Sequence, residues 1–126
     1  MHTLLWFLQV LFGIYFFAVG VMHFIVPPGL PAAMSWMYDL SDGLHIFAGT
    51  AEILAGLGLI LPGVFKIKTW LTPLAAAGMI IVMIGAAVYH VQRGEILNIG
   101  INVLNAAVMA FIAYGRWKLR PLGEGD

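Results

Sequence analysis

The chain of 126 residues is strongly apolar, with 62% hydrophobic and only 10% charged residues, whereas soluble domains carry roughly a quarter charged residues. This composition excludes a soluble globular domain, and the zero net charge argues against binding nucleic acid. The absence of cysteine excludes disulfides, thiolate metal sites, iron–sulfur clusters and dithiol chemistry within this sequence. We therefore expect an integral membrane protein. Residues 1–126 are expected to form a single transmembrane domain.

Four apolar stretches predict four transmembrane helices, each close to the length of about 20 residues that a bilayer requires. Pro27 and Pro28 end the first stretch, which we interpret as a retained helix and not as a cleaved signal peptide. Pro62 and Gly63 are expected to close the second stretch. The predicted spans cover about residues 3–26, 43–61, 69–91 and 96–114.

The segment between the first two spans has a mixed character. Residues 29–42 include Trp36 and Tyr38 beside Asp39 and Asp42, and the segment is too short to span a bilayer. Aromatic side chains prefer the depth of the lipid headgroups. We expect a short helix here that lies on the membrane surface.

Basic residues are distributed unevenly between the two sides of the predicted bundle. With four spans, both termini and the loop between spans two and three share one side, while Arg93 stands alone on the other. The positive-inside rule then predicts cytoplasmic termini, and we expect a bacterial inner membrane. The basic residues on the side of the termini are Lys66, Lys68, Arg116, Lys118 and Arg120.

A bundle of antiparallel helices satisfies every backbone hydrogen bond in lipid, so the predicted fold is an all-α four-helix transmembrane bundle. Glycines on three of the spans are expected to allow close helix approach, as small residues do in membranes. These glycines are Gly13, Gly20, Gly49, Gly56, Gly78 and Gly85.

Glu52 is the most unusual residue of the predicted bundle. It lies ten residues after Asp42, roughly 15 Å below the outer surface at the rise of an α-helix. A charged side chain at this depth costs about 2.5 to 3.5 kcal/mol on insertion scales. We expect a neutral carboxyl unless a cation, water or several donors hold the charged form, and we interpret Glu52 as part of a binding site.

Polar residues on other spans recur at helical spacing and predict a shared polar interior. We expect Glu52 to contact Gln9, Asn102 or Asn105, although interhelical hydrogen bonding alone would also explain the amides. His23, His45 and His90 fall at outer-leaflet depth and are expected to ring the mouth of a cavity. A metal held by three histidines from separate helices is a weaker alternative, so we predict no metal site. The predicted ligand-binding residues are Gln9, His23, His45, Glu52, His90, Asn98, Asn102 and Asn105.

Two motifs, FGIYFFAVGVMHFIVP in span one and GTAEILAGLGLILPG in span two, resemble the DoxX-like family of small four-helix membrane proteins. A more distant resemblance, through Pro62-Gly63 and Tyr89-His90, links the chain to the eukaryotic branch that includes the receptor chaperone NACHO. Many DoxX proteins carry Arg where Gln9 stands and Lys where His23 stands. The positions that match the family are His23, Gly49, Glu52, Gly56 and His90.

The resemblance implies two kinds of function. One is a non-enzymatic binding, accessory or chaperone-like protein that holds a lipid, an amphiphile or a partner's transmembrane helix, and we favour it. The other is a membrane subunit of a quinone-linked oxidoreductase, in which Glu52 relays a proton. Expected partners are the lipid bilayer, other membrane proteins or a second copy of this chain. A bundle whose polar residues only set helix register is the third alternative.

Overall fold

The computed structural model describes residues 1–123, and the four predicted membrane helices are present. Each long helix has the length and apolarity to cross a bilayer, and no strand occurs among the described residues. A 3₁₀ turn at Ala32–Met34 precedes the short α2, and a π-helical turn at Gly115–Leu119 continues α5. The helices are α1 (His2–Phe24), α2 (Trp36–Asp39), α3 (Asp42–Phe65), α4 (Leu71–Arg93) and α5 (Ile96–Tyr114).

The four long helices pack in chain order around the bundle. α1 packs against α3, α3 against α4 and α4 against α5, while α1 and α5 contact each other only sparsely. We call the end with the N-terminus and residues 66–70 the terminal end. The opposite end carries residues 25–41, which we call the connector, and is named the capped end. The core between the helices includes Phe16, Leu59, Met79, Met109 and Ile112.

Glycine pairs bring α1 and α3 into backbone contact at two levels. A Cβ atom added to Gly56 would lie 2.6 Å from the Gly13 carbonyl oxygen, and one added to Gly20 would lie 2.9 Å from the Gly49 carbonyl oxygen. Close helix approach at these four positions is confirmed. The same prediction is wrong for Gly78 and Gly85, because an added Cβ would meet nothing within 4 Å there.

Pro62 lies inside α3, so the prediction that it closes the second span is wrong. The helix continues to Phe65 and ends where Lys66 adopts a left-handed conformation with φ of 55°. Proline has no backbone N–H and cannot bond the carbonyl four residues earlier. That carbonyl belongs to Gly58, and the Thr72 hydroxyl of α4 donates to it at 2.7 Å. A neighbouring helix thus satisfies the oxygen that proline leaves free.

The connector folds over the capped end, and its short helix is not merely laid on the surface. Met37 is 1% exposed. Asn98 of α5 donates to the Ala33 carbonyl at 3.0 Å, and Arg93 of α4 pairs with Asp39 at 2.8 Å. Contacts from two different helices therefore hold the connector across the end of the bundle.

Candidate functional site: a polar cavity under the connector

A cavity of about 620 Å³ lies between the four long helices, directly beneath the connector. Its volume falls in the range of small-molecule sites. Apolar side chains form most of its wall, including Phe16, Phe47 and Met83. The lining residues whose side chains carry nitrogen or oxygen atoms are Tyr15, His23, Trp36, Glu52, Tyr89, His90, Asn98, Asn102 and Asn105.

Three of the residues that line this cavity each carry one buried polar atom without a hydrogen-bond partner among the described residues. These atoms are Trp36 Nε1, Glu52 Oε2 and Asn102 Nδ2. The residues Glu52 and Asn102 are only 6% and 8% exposed. A buried polar atom left unpaired costs about 1 to 3 kcal/mol, and few occur in native proteins. Two donors and one carboxyl oxygen without hydrogen-bond partners thus belong to residues around the same cavity.

A chain of histidines connects the connector to Glu52. The Met37 carbonyl only accepts, so His45 donates to it from Nε2 at 2.9 Å. With both rings neutral, His45 Nδ1 accepts from His23 Nδ1 at 2.9 Å, which leaves His23 Nε2 as an acceptor. This nitrogen lies 3.7 Å from Glu52 Oε2. Two acceptors face each other, so a bond between them needs one added proton, on Glu52 or on an imidazole.

The Trp36 ring stands between two of these histidines. Its centroid lies 6.0 Å from that of His23 and 4.9 Å from that of His90. The connector therefore contributes an aromatic wall to the cavity, and the Trp36 N–H is a buried donor without a hydrogen-bond partner among the described residues. The sequence predicted only that the aromatic residues of this segment lie at headgroup depth, and it gave no signal for this role of Trp36.

His90 is anchored by the turn between α4 and α5. Its Nδ1 donates to Glu95 Oε1 at 2.8 Å, and Arg93 Nε donates to the same oxygen at 3.0 Å. The His90 hydrogen bond and, second to it, Arg93 hold the pKa of the Glu95 carboxyl below its ordinary value, against the opposing effect of partial burial. Glu95 thereby fixes the orientation of one wall of the cavity.

The three asparagines of α5 have different surroundings. Asn98 bonds the connector, and Asn105 donates to the Tyr15 hydroxyl at 3.1 Å. Asn102, one turn from each, has a free Nδ2. Expected contacts between Glu52 and Asn102 or Asn105 do not appear among the described hydrogen bonds.

Six of the eight predicted ligand-binding residues line the cavity, and their part in binding stays a prediction. His45 lies behind His23 and reaches the cavity only through it. Gln9 was expected to contact Glu52, and this is wrong. Its amide donates to the Leu59 carbonyl at 2.8 Å and accepts from Arg116 Nε at 2.5 Å, toward the terminal end.

Arg116 was grouped with the basic residues outside the membrane, yet it is 2% exposed. Besides Gln9, its guanidinium bonds His2 Nδ1 at 3.0 Å and the Arg120 carbonyl at 2.9 Å, and it lies over the Trp6 ring. We call His2, Gln9 and Arg116 the terminal cluster. Within residues 1–123, no three His, Cys, Asp or Glu side chains lie close enough together to bind one metal ion.

A comparison with known families matches residues 7–112 to the model of the DoxX-like family. The chain belongs to the DoxX-like family. No curated protein and no solved structure matches the chain. Membership agrees with the four membrane helices, and in this DoxX-like protein the matched range contains Glu52, His23, His90 and Asn102, with Arg116 outside it.

Proposed function

We propose that this DoxX-like protein is a non-enzymatic binding protein that holds a membrane amphiphile in the cavity under the connector. The observation that carries the proposal is that three residues lining one cavity, Trp36, Glu52 and Asn102, each have a buried polar atom without a hydrogen-bond partner among residues 1–123. Such atoms are unfavourable as mere packing, since an apolar side chain would fill the same volume without the penalty. A ligand that pairs with them removes the penalty.

The donor and acceptor set describes the ligand's head. Trp36 and Asn102 offer N–H groups and require an acceptor, while Glu52 and the neutral His23 offer lone pairs or one shared proton. The apolar walls favour a hydrocarbon body. A polar head that both accepts and donates, joined to an apolar chain, fits this site.

Native mass spectrometry of the protein extracted from its own membrane tests the proposal. Wild type should carry a small amphiphile, and Glu52→Gln should reduce its occupancy at least tenfold, because the substitution removes the shared proton and one acceptor. Thr50→Val is the matched control, since Thr50 is an exposed polar residue of the same helix outside the cavity. Equal occupancy in wild type and Glu52→Gln would contradict binding at this site.

In this proposal the protein acts as an accessory or chaperone-like component of a bacterial inner membrane, with both termini in the cytoplasm. The excess of Lys and Arg at the terminal end supports this orientation. Because the chain has no cysteine, single cysteines placed at Lys68 and Ser41 can report it through a membrane-impermeant thiol reagent. Labelling of intact cells at position 68 and not at position 41 would contradict this orientation and indicate the opposite one.

One observation favours a second function, that of a membrane subunit of a quinone-linked oxidoreductase. The chain of His45, His23 and Glu52 has room for one added proton between His23 and Glu52 next to the cavity, as a proton relay to a quinone headgroup requires. Binding of a quinone analogue that is weakened by His23→Gln and by Glu52→Gln would support this function. Binding of lipid amphiphiles with no affinity for the analogue would favour the first.

A further inference from the structure

A second depression lies on the lipid-facing side of α3 and α4, toward the terminal end. It encloses about 600 Å³, and every residue that lines it is apolar. Small residues create the hollow: Ala51, Ala55 and Gly58 on α3 face Ala75 and Gly78 on α4. We call it the groove.

The groove and the cavity adjoin each other along α4. Val82 lines both. On α4, the positions Ala75, Gly78, Val82, Gly85 and Tyr89 follow each other at spacings of three or four residues and so share one helix face. The first two line the groove and the last two line the cavity.

α3 and α4 are close at the terminal end and leave free space toward the capped end. A Cβ added to Gly58 would lie 2.8 Å from Ala75 Cβ, whereas one added to Gly85 would meet nothing within 4 Å. The cavity-lining residues Phe47 and Ile81, one on each helix, are 64% and 73% exposed. These exposed lining residues place one side of the cavity between α3 and α4 at the protein surface, next to the groove.

We propose that the ligand is an uncharged single-chain amphiphile with a hydroxyl-bearing head, whose head occupies the cavity and whose chain passes Gly85 and lies in the groove. This inference rests on the proposed function and adds the ligand class and its path. Hydroxyls both donate and accept, which matches the unpartnered atoms of Trp36, Glu52 and Asn102. From Gly85 to Leu71, α4 rises about 20 Å, enough for one long alkyl chain.

Three glycine variants test the path. Gly78→Leu fills the groove, Gly85→Leu fills the side of the cavity next to it, and Gly100→Leu on α5 is the matched control outside both. All three positions have nothing within 4 Å of an added Cβ, so the fold should tolerate each leucine. Circular dichroism and monodisperse elution verify folding. Binding is measured by native mass spectrometry in lipid nanodiscs, because detergent chains would compete for the groove.

The probes are glycerol monolaurate, with a long chain, and glycerol monocaprylate, with a short one. Gly78 lies about 10 Å beyond Gly85 along α4, so only the longer chain extends past it. Gly78→Leu should weaken monolaurate binding about tenfold, equivalent to about 1.4 kcal/mol, and leave monocaprylate nearly unchanged. Gly85→Leu should weaken both probes, and Gly100→Leu neither.

The outcomes separate this inference from the proposed function. Monolaurate binding that is equal in Gly78→Leu and Gly100→Leu would overturn the path. Absence of glyceride binding, together with a co-purified amphiphile that Glu52→Gln releases, would overturn the ligand class and leave the proposed function intact. Absence of both would overturn the two proposals together.

Discussion

The terminal cluster and the cavity are two buried polar regions of the same bundle, yet their hydrogen bonding differs. In the terminal cluster, both amide atoms of Gln9 and all three nitrogens of the Arg116 guanidinium have partners. Around the cavity, three polar atoms of the lining residues lack a hydrogen-bond partner among the described residues. Polar residues in a membrane serve either to join helices or to meet a ligand. The pairing of each buried atom separates these roles where sequence spacing does not.

Replacing a buried amide by leucine should have opposite effects on stability in the two regions. At the terminal cluster the replacement removes a bond to a buried cation, so it should destabilise the bundle. In the cavity it removes an unpaired group, so it should leave stability unchanged or raise it while ligand binding is lost.

Gln9→Leu should lower the free energy of unfolding by about 2 to 4 kcal/mol, because it leaves Arg116 Nε without its acceptor in a buried site. The Leu59 carbonyl also loses its side-chain donor. Unfolding in mixed micelles with increasing SDS, followed by circular dichroism, measures the change. Gln92→Leu, at an exposed position of α4, is the control. A loss for Gln9→Leu no larger than that of the control would contradict a structural role for the cluster.

Thr72→Val should cost about 1 to 3 kcal/mol, since it leaves the Gly58 carbonyl without a donor. Pro62→Ala supplies a backbone N–H to that carbonyl from within α3. The double variant should therefore recover most of the stability that Thr72→Val loses. The same SDS titration of all four proteins gives the coupling energy, and strictly additive effects would show that the hydroxyl does not substitute for the missing N–H.

Asn102→Leu should change the free energy of unfolding by about 1 kcal/mol or less, and in the stabilising direction, because the Nδ2 it removes is unpaired. Asn105→Leu, one turn away, breaks the bond to Tyr15 and should be destabilising by about 1 kcal/mol. Bound amphiphile, measured by native mass spectrometry, should be lost in Asn102→Leu. If Asn102→Leu is the less stable of the two, the distinction between paired and unpaired cavity groups fails.

Hydropathy was sufficient to predict the four spans, because the composition of each helix alone decides whether it can enter lipid. The burial of Glu52 also followed from its position within a span. The burial of Arg116 could not be predicted from its position in the sequence. The π-helical turn at Gly115–Leu119 and contacts with α1 bring this residue inward, although it was expected at the surface. The position of Trp36 could not be predicted either, because the path of the connector depends on long-range bonds such as those of Asn98 and Arg93.

Gln9 also shows a limit of prediction from sequence spacing. Its spacing with His23 on α1 correctly indicates an inward face, and both residues are buried. Spacing cannot tell which end of the bundle an inward residue serves, since that depends on the partner that each neighbouring helix presents at its level. Arg116 and the Leu59 carbonyl meet Gln9, while Glu52 meets His23.

The smallest expected effect concerns the turn that anchors the cavity wall. The pKa of Glu95 is lowered in the folded protein, mainly by its bond to His90, so its contribution to stability is present above the ordinary glutamate pKa of about 4.3. As pH falls through the lower folded value, the carboxylate takes up a proton and the contribution is lost. Wild type should therefore lose stability relative to Glu95→Gln on acidification from about pH 5 to pH 3.

Parallel SDS titrations across this range measure the difference, and Asp42→Asn serves as the control for an exposed carboxyl near the same end. Parallel curves for wild type and Glu95→Gln would show that the His90 bond contributes nothing, and would remove Glu95 as the support of that wall.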